Sequence, residues 1–323
     1  MGTDRKIYKY VPILVCMVYH EIRKIKGRKQ NYLIRNSRKN SRFVKESKFI
    51  GYGNIPEEDV LNKKKEFEIE LAGESLSVYL TKEQKIEIEK LKKIYNKNVG
   101  SLSLEEFEKF ENTFFTELTY NSNAIEGSSL SLEDTNLIVN EGLVPDGKTL
   151  REIHEAKNHM QAIRFLKDYN RDINEGFILR LHSIILKDIS ERFAGRYREN
   201  KIRIFGSDAK FPDAEIVHQL MKNLVYWYEQ NKKKMHPFEM AVVFSMKFVT
   251  IHPFVDGNGR MSRLLMNYIL QRNKYIWINI YNKQRALYLR AVRKANDEKY
   301  LDIIDFCIKT MKENLESFGI LRD

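Results

Sequence analysis

The chain has 323 residues, 42% of them apolar, enough for one large domain or two smaller ones and too apolar for a disordered chain. Its two cysteines, Cys16 and Cys307, are remote in sequence, which argues against a disulfide framework or a thiolate zinc site and for a reducing, cytoplasmic setting. The net charge of +12 is concentrated: Arg5 to Lys48 holds 14 Lys and Arg against two acids, Glu21 and Glu46, and the remainder balances.

In chain order, a basic start (Met1–Tyr10) leads into a short apolar run, Val11–Tyr19. The outline is that of a signal segment, but no small-residue cleavage site follows and the chain continues into HEIRKIKGRK. It reads as a first strand. No stretch approaches about 18 uninterrupted apolar residues, so no membrane helix is expected. Residues 20–52 read as β-structure. YLIR (32–35) and RFVKESKFI (42–50) mix aromatic and β-branched residues with charge, around the polar cluster 36–41. Gly51, Gly53 and Pro56 close this module, so the expected domains are 1–56, basic and β-rich, and 57–323. A basic module on a neutral body implies an anionic partner, nucleic acid first, through 5–48; the plain alternative is a solvated lysine-rich surface.

From Pro56 onward the pattern is helical. Lys82–Tyr95 carries apolar residues at 86, 88, 91 and 94. Ser103 with Glu106 forms a capping box before an aromatic-rich helix over about 104–120. Further helices are expected over about 131–140, 149–169, 174–189, 213–231, 237–251, 261–272, 284–296 and 300–317. The one strand signal here is KIRIF (201–205), followed by the turn GSD. The body is therefore mainly α, with one β-hairpin.

The most informative stretch is IHPFVDGNGRMSRLLMNYIL (251–270), a loop between two apolar helices. Gly257 and Gly259 let the backbone turn tightly and approach a ligand closely. The N–H groups of the following helix then make an anion site. Arg260 and Arg263, three residues apart, reach one polyphosphate. Asp256 is placed to hold a divalent cation between phosphate oxygens. His252 is a usable general base near neutral pH, and Phe254 faces inward as an anchor. No GxxxxGK[ST] occurs, and Gly257-Asn258-Gly259 does not complete GxGxxG.

HPFVDGNGRMSR resembles the Fic motif, HxFx(D/E)GNGRxxR, at every specified position; Fic stands for filamentation induced by cAMP. The likeness extends over roughly 100–320, including GRYR (195–198) and YLRAVRKAN (288–296). It implies a helical fold that moves AMP from ATP, with Mg2+, onto a Ser, Thr or Tyr hydroxyl of a protein. By that likeness His252 is the base, Asp256 holds the metal, Asn258 with the amides of Gly257 and Gly259 takes the α-phosphate, and Arg260 and Arg263 take the outer phosphates. The related Doc kinases carry a basic residue in place of the second glycine, so Gly259 favours AMP transfer. Ser245 stands where many relatives have a His, a departure expected to affect packing.

Upstream, SNAIEG (122–127) looks like the family's inhibitory motif (S/T)xxxE(G/N), on Ser122, Glu126 and Gly127 within an inhibitory helix of about 111–127. A carboxylate at a helix C-terminus is disfavoured by the dipole and wants a cation; Arg263 is the implied partner, and pairing would deny it to ATP. An ordinary helix cap with a solvated Glu is the plain alternative. By the same resemblance, hairpin 201–211 is a flap whose strand edge, at Arg203, Ile204 and Phe205, pairs with the target. Tyr288 and Asn296 match positions that contact the nucleoside, or pack as helix residues. His154, His159, His182, His218 and His236 read as structural or surface. Two other functions compete: a nucleic-acid-binding regulator whose Fic domain senses nucleotide, and an enzyme that removes AMP. Oligomeric state stays open, a homodimer included.

Overall fold

The computed structural model describes residues 18–39, 42–72, 77–202 and 211–321, in two compact units, 1–74 and 75–323. The first unit is an antiparallel sheet in the order β1 (Val18–Ile25), β2 (Arg28–Lys39), β3 (Arg42–Tyr52), followed by helix α1 (Glu57–Ala72). The expected first strand at 11–19 falls mostly outside the described residues; β1 begins at Val18. Lys26 and Gly27, with φ of 49° and 79°, make the two-residue turn from β1 to β2, the left-handed pair that suits the twist of a hairpin. Between β2 and β3 the register carries a bulge: Tyr32 faces Phe49, then Asn31 faces Gly51, and Ile50 is the extra residue. Val18, Leu33 and Ile50 pack on Phe67 of α1, with Ile55 and Val60 beside them. A three-stranded sheet needs such a partner to bury a face. The division expected at 56/57 therefore falls one helix short of the one found.

The second unit is helical: α2 (Lys82–Val99), α3 (Leu104–Ile125), α4 (Leu132–Asn136) running into a π-turn at Leu137–Glu141, α5 (Leu150–Asp168), α6 (Glu175–Ile185), α7 (Ala214–Asn231), α8 (Pro237–Ile251), α9 (Asn258–Arg272), α10 (Arg285–Ala295) and α11 (Leu301–Ser317). The Ser103–Glu106 box caps α3, and Thr81–Gln84 and Thr149–Glu152 do the same for α2 and α5. Helix α8 is apolar nearly all round and lies in the centre of the core, as such a helix must. Its one buried charge, Glu239, accepts bonds from Ser77 Oγ (2.5 Å), Val78 N (2.9 Å) and Tyr79 N (2.8 Å), which offsets its desolvation. Ser245 is buried; its hydroxyl donates to Val242 O, and its carbonyl accepts from Ser262 of α9, so it has the packing role expected of it. No helix among the described residues is long and apolar enough to cross a membrane.

Three elements exceed their expected length: α2, which runs four residues past Tyr95 to Val99, and α3 and α9. Helix α3 continues to Ile125 through the low-propensity run Asn121-Ser122-Asn123. Those side chains are buried, and Asn121 bonds to Asn279 Oδ1 and accepts from the main chain of Asn282, so tertiary bonds override propensity. Helix α9 starts at Asn258, so Gly259 and Arg260 belong to its first turn. Of the expected hairpin, 203–210 lies outside the described residues, and with it the docking positions Arg203, Ile204 and Phe205.

Candidate active site

Helix α8 ends by placing His252 in a left-handed conformation (φ 51°, ψ 59°), uncommon for a residue with a side chain and so a position the surroundings must enforce. Arg198 enforces it. Its Nε donates to His252 O at 2.8 Å, its main-chain N to Pro253 O at 2.9 Å, and its Nη2 to Pro212 O at 2.6 Å. His182 braces the other side, its ring stacked on the buried Phe254 with centroids 3.5 Å apart. His182 Nδ1 accepts from Gly195 N at 3.0 Å, so Nε2 carries the proton and donates to Asp256 O at 3.1 Å. Burial pushes this imidazole down to about 4, which keeps that single tautomer at neutral pH.

The same logic sets His252. Its Nδ1 lies 3.3 Å from Val249 O, an acceptor, so Nδ1 holds the hydrogen and Nε2 keeps its lone pair. Burial, with a further push from Arg198, lowers the ring to about 4. That is below the near-neutral value expected from an exposed imidazole: the ring is a weaker base, but it is unprotonated at pH 7.

Asn258 turns inward. Its Oδ1 accepts from Phe254 N (3.0 Å) and its Nδ2 donates to Phe254 O (2.8 Å), closing the loop on itself. Its Oδ1 and one Nδ2 hydrogen are therefore engaged, which leaves the second Nδ2 hydrogen and the main-chain N–H to meet a phosphate. Gly257 (φ 77°) makes the turn into α9. Asp256 sits in a ring of four charges: Arg151 Nη2 at 2.5 Å, Arg260 Nη2 at 3.5 Å, and Glu155 bridging Arg151 (3.1 Å) and Arg260 (3.3 Å). Burial alone would raise the Asp256 carboxyl; Arg260, the Gly257 amide and Arg151 together hold it below its usual range. Among the described residues no three His, Cys, Asp or Glu cluster as a metal cage. A single carboxylate beside an anion site instead suits a divalent cation that arrives on phosphate oxygens.

Arg263, buried on α9, meets the end of α3. Its Nε donates to Ser122 Oγ (3.1 Å) and its Nη2 to Ser122 O and Glu126 Oε1, both at 2.8 Å. Gly127, at φ 106°, ends the helix there. The Glu126 carboxylate lies directly over Gly259: a Cβ built on residue 259 would come within 2.2 Å of Oε1. Tyr288 is buried with its ring centroid 6.0 Å from Arg263 Cζ, and Asn296 Oδ1 accepts from Thr250 Oγ1 at 2.8 Å. Both face protein partners here. The chain thus brings His252, Asp256, Gly257 to Arg260, Arg263, Ser122, Glu126 and Tyr288 to one place. Arg151 and Glu155 were not singled out in the sequence; Arg198 entered only within GRYR, and His182 only as a structural or surface residue. REIHE (151–155) puts Arg151 and Glu155 on one helix face, but nothing local ties them to a loop 105 residues later.

Residues 172–270 match the family model described as the Fic/DOC family. This is a Fic-domain protein. The chain is 30% identical over 235 residues to "Protein adenylyltransferase Fic" of Nematostella vectensis, covering 71% of this chain and 54% of that protein. It is 33% identical over 184 residues to "Protein adenylyltransferase fic-1" of Caenorhabditis elegans, covering 55% and 36%. The chain spans about half or less of the length of these curated relatives. Among solved structures it is similar to C. elegans Fic-1, residues 134–508 (TM-score 0.66, 25% identity, 73% of this chain and 72% of that one). It is equally similar to a Fic-domain signaling protein of Bacteroides thetaiotaomicron (TM-score 0.64, 25% identity, 73% and 99%).

Proposed function

We propose that this chain transfers AMP from ATP to a hydroxyl of a protein and is held back by its own Glu126. The observation that carries the reading is the pairing of Arg263. This buried cation of the loop's helix, apt for a terminal phosphate, is engaged instead by a carboxylate poised over the glycine of the anion site.

The chemistry follows from the loop. The neutral Nε2 of His252 accepts the proton of the target hydroxyl as its oxygen attacks the α-phosphorus. The bond from that phosphorus to the bridging oxygen breaks, and pyrophosphate leaves with the electron pair. The main-chain N–H groups at the start of α9 face the charge that develops on the α-phosphate, where fixed donors count most. Arg260 and Arg263 hold the outer phosphates and so set the line of attack. A Mg2+ brought in on the phosphates would meet Asp256 and neutralise charge on the leaving group. The names of the curated relatives support the same reaction.

Labelled ATP tests this. Label in the α-phosphate should stay with protein and label in the γ-phosphate should not, and His252→Ala should abolish incorporation while nucleotide binding persists. Incorporation of the γ-label, or transfer by His252→Ala at the parent rate, would remove the proposal.

A further inference from the structure

Helix α1 lies on one face of the N-terminal sheet; the other face is open at Phe49 and Tyr52, although Ile34 on it is buried. Helix α1 covers the side of Val18, Leu33 and Ile50. The other side carries an aromatic strip. Tyr32 and Phe49 are directly opposed across β2 and β3 with ring centroids 5.5 Å apart, and Tyr52 follows at 4.9 Å from Phe49. Strict alternation would send Tyr52 to the face opposite Phe49, since the two are three apart. The extra residue Ile50 and the conformation of Gly51 (φ 149°) correct this, re-aiming Tyr52 onto the open side. The result leaves Phe49 43% and Tyr52 63% exposed, which a sheet does not need for its own stability.

Charge surrounds the strip. Arg23 lies over the Tyr32 ring at 4.3 Å, and the acid on this face, Glu21, is already bonded to Arg23 (2.6 Å) and Lys45 (3.0 Å). Tyr52 stands opposite Gln30, beside the β1–β2 turn. There Arg28, two residues before Gln30, shares the face of the rings, and Lys26 stands in the turn beside it; Lys24 and Lys29, opposite each other, point to the other face. Among the described residues no carboxylate pairs with Lys26 or Arg28. Uncompensated cations beside exposed rings are the two halves of a single-strand site: rings stack on bases, and cations hold the phosphates.

We propose that this open face binds single-stranded nucleic acid, stacking two or three unpaired bases on Tyr32, Phe49 and Tyr52 and seating the backbone on the cationic turn. A duplex cannot use the rings, because its bases are already stacked on each other. The proposal does not rest on AMP transfer.

The test is fluorescence anisotropy of the full chain with a labelled oligouridine of about twelve nucleotides, within the usual span of a single-strand site. Phe49→Ala with Tyr52→Ala should weaken binding at least about tenfold, as loss of two stacking contacts does, and leave the salt slope unchanged. Lys26→Gln with Arg28→Gln should instead flatten the dependence on salt. Tyr52→Trp should bind as the parent does, with indole emission quenched when bases stack on it. AMP transfer by these variants, read separately, should be unchanged. The proposal is overturned if the double alanine variant binds as well as the parent. Equal affinity for heparin or for a duplex of the same length, or indole emission of Tyr52→Trp that does not respond to the oligonucleotide, overturns it as well.

Discussion

Gly259 lies in the first turn of α9, where the helix itself would accept any side chain. What forbids one is Glu126, whose Oε1 would stand 2.2 Å from the added carbon. Two residues far apart in sequence are thus locked together by the space of one methyl group, and the coupling has a sign that can be measured. Gly259→Ala should destabilise the parent chain, because Glu126 must leave Arg263 to make room. In a Glu126→Gly background the same change should stabilise by ~0.5–1 kcal/mol, the ordinary advantage of Ala over Gly in a helix. Urea unfolding of the four proteins closes this cycle, and an equal cost in both backgrounds would mean that Glu126 does not sit over residue 259. The roles proposed for His252, Asp256 and the two arginines could be argued from sequence because their chemistry is local to twelve residues. The inward turn of Asn258 was not, since an amide that bonds back to Phe254 looks the same in sequence as one that faces a phosphate.

At the scale of elements, α3 carries the proposed brake, and two arginines hold its end. Arg263 takes Ser122 O, and Arg285 of α10 donates from Nε to Ile125 O at 2.7 Å. Both satisfy carbonyls that a helix C-terminus leaves open, and both are cations where the dipole favours them. Among the described residues Arg285 makes no hydrogen bond or ion pair with the loop of His252, so its influence runs through α3. Arg285→Ala should therefore loosen the brake and raise AMP transfer about fivefold, the equivalent of one hydrogen bond of ~1 kcal/mol, and less than loss of Glu126 does. A rate equal to the parent's would place the stability of α3 elsewhere. Sequence periodicity located the helices of this body but shortened α3 and α9, for one reason. Asn121-Ser122-Asn123 and Asn258-Gly259 are weak helix formers, and what holds them is Asn279 and Asn282 for the first and Phe254 for Asn258. In the first unit the bulge at Ile50 was invisible for a similar reason, because a pattern of alternation cannot show an added residue.

For the molecule as a whole, three buried imidazoles set a common response to acid. His159, His182 and His252 are all driven below their ordinary value by burial, to about 3, about 4 and about 4. Each is neutral in the folded chain and takes a proton in the unfolded chain near pH 6.5. The stability they contribute is thus complete above about pH 6.5 and is lost as pH falls toward 4, because the unfolded state binds more protons. Calorimetry between pH 7 and pH 5, above the range where most carboxylates titrate, should find Tm falling steadily. A flat Tm over that window would mean that these rings are solvated and charged. None of this was open to sequence reading, in which five of the chain's histidines had no partner; His182 gains its role only when α6 is packed beside the loop. The two-unit organisation was legible from charge and composition, but the share of α1 was not, because Phe67 belongs to the sheet through packing alone.

In the proposed reading one competition sets the activity, that between Glu126 and ATP for Arg263. A carboxylate tethered beside the cation has a high effective concentration and prevails until α3 moves. The most direct measurement is transfer of α-labelled AMP by the parent chain and by Glu126→Gly, compared at equal protein and ATP. The variant should label itself at least about tenfold faster, since a partly buried pair of this kind is worth ~1–3 kcal/mol. A variant no faster than the parent would contradict the account and leave SNAIEG as the end of a helix.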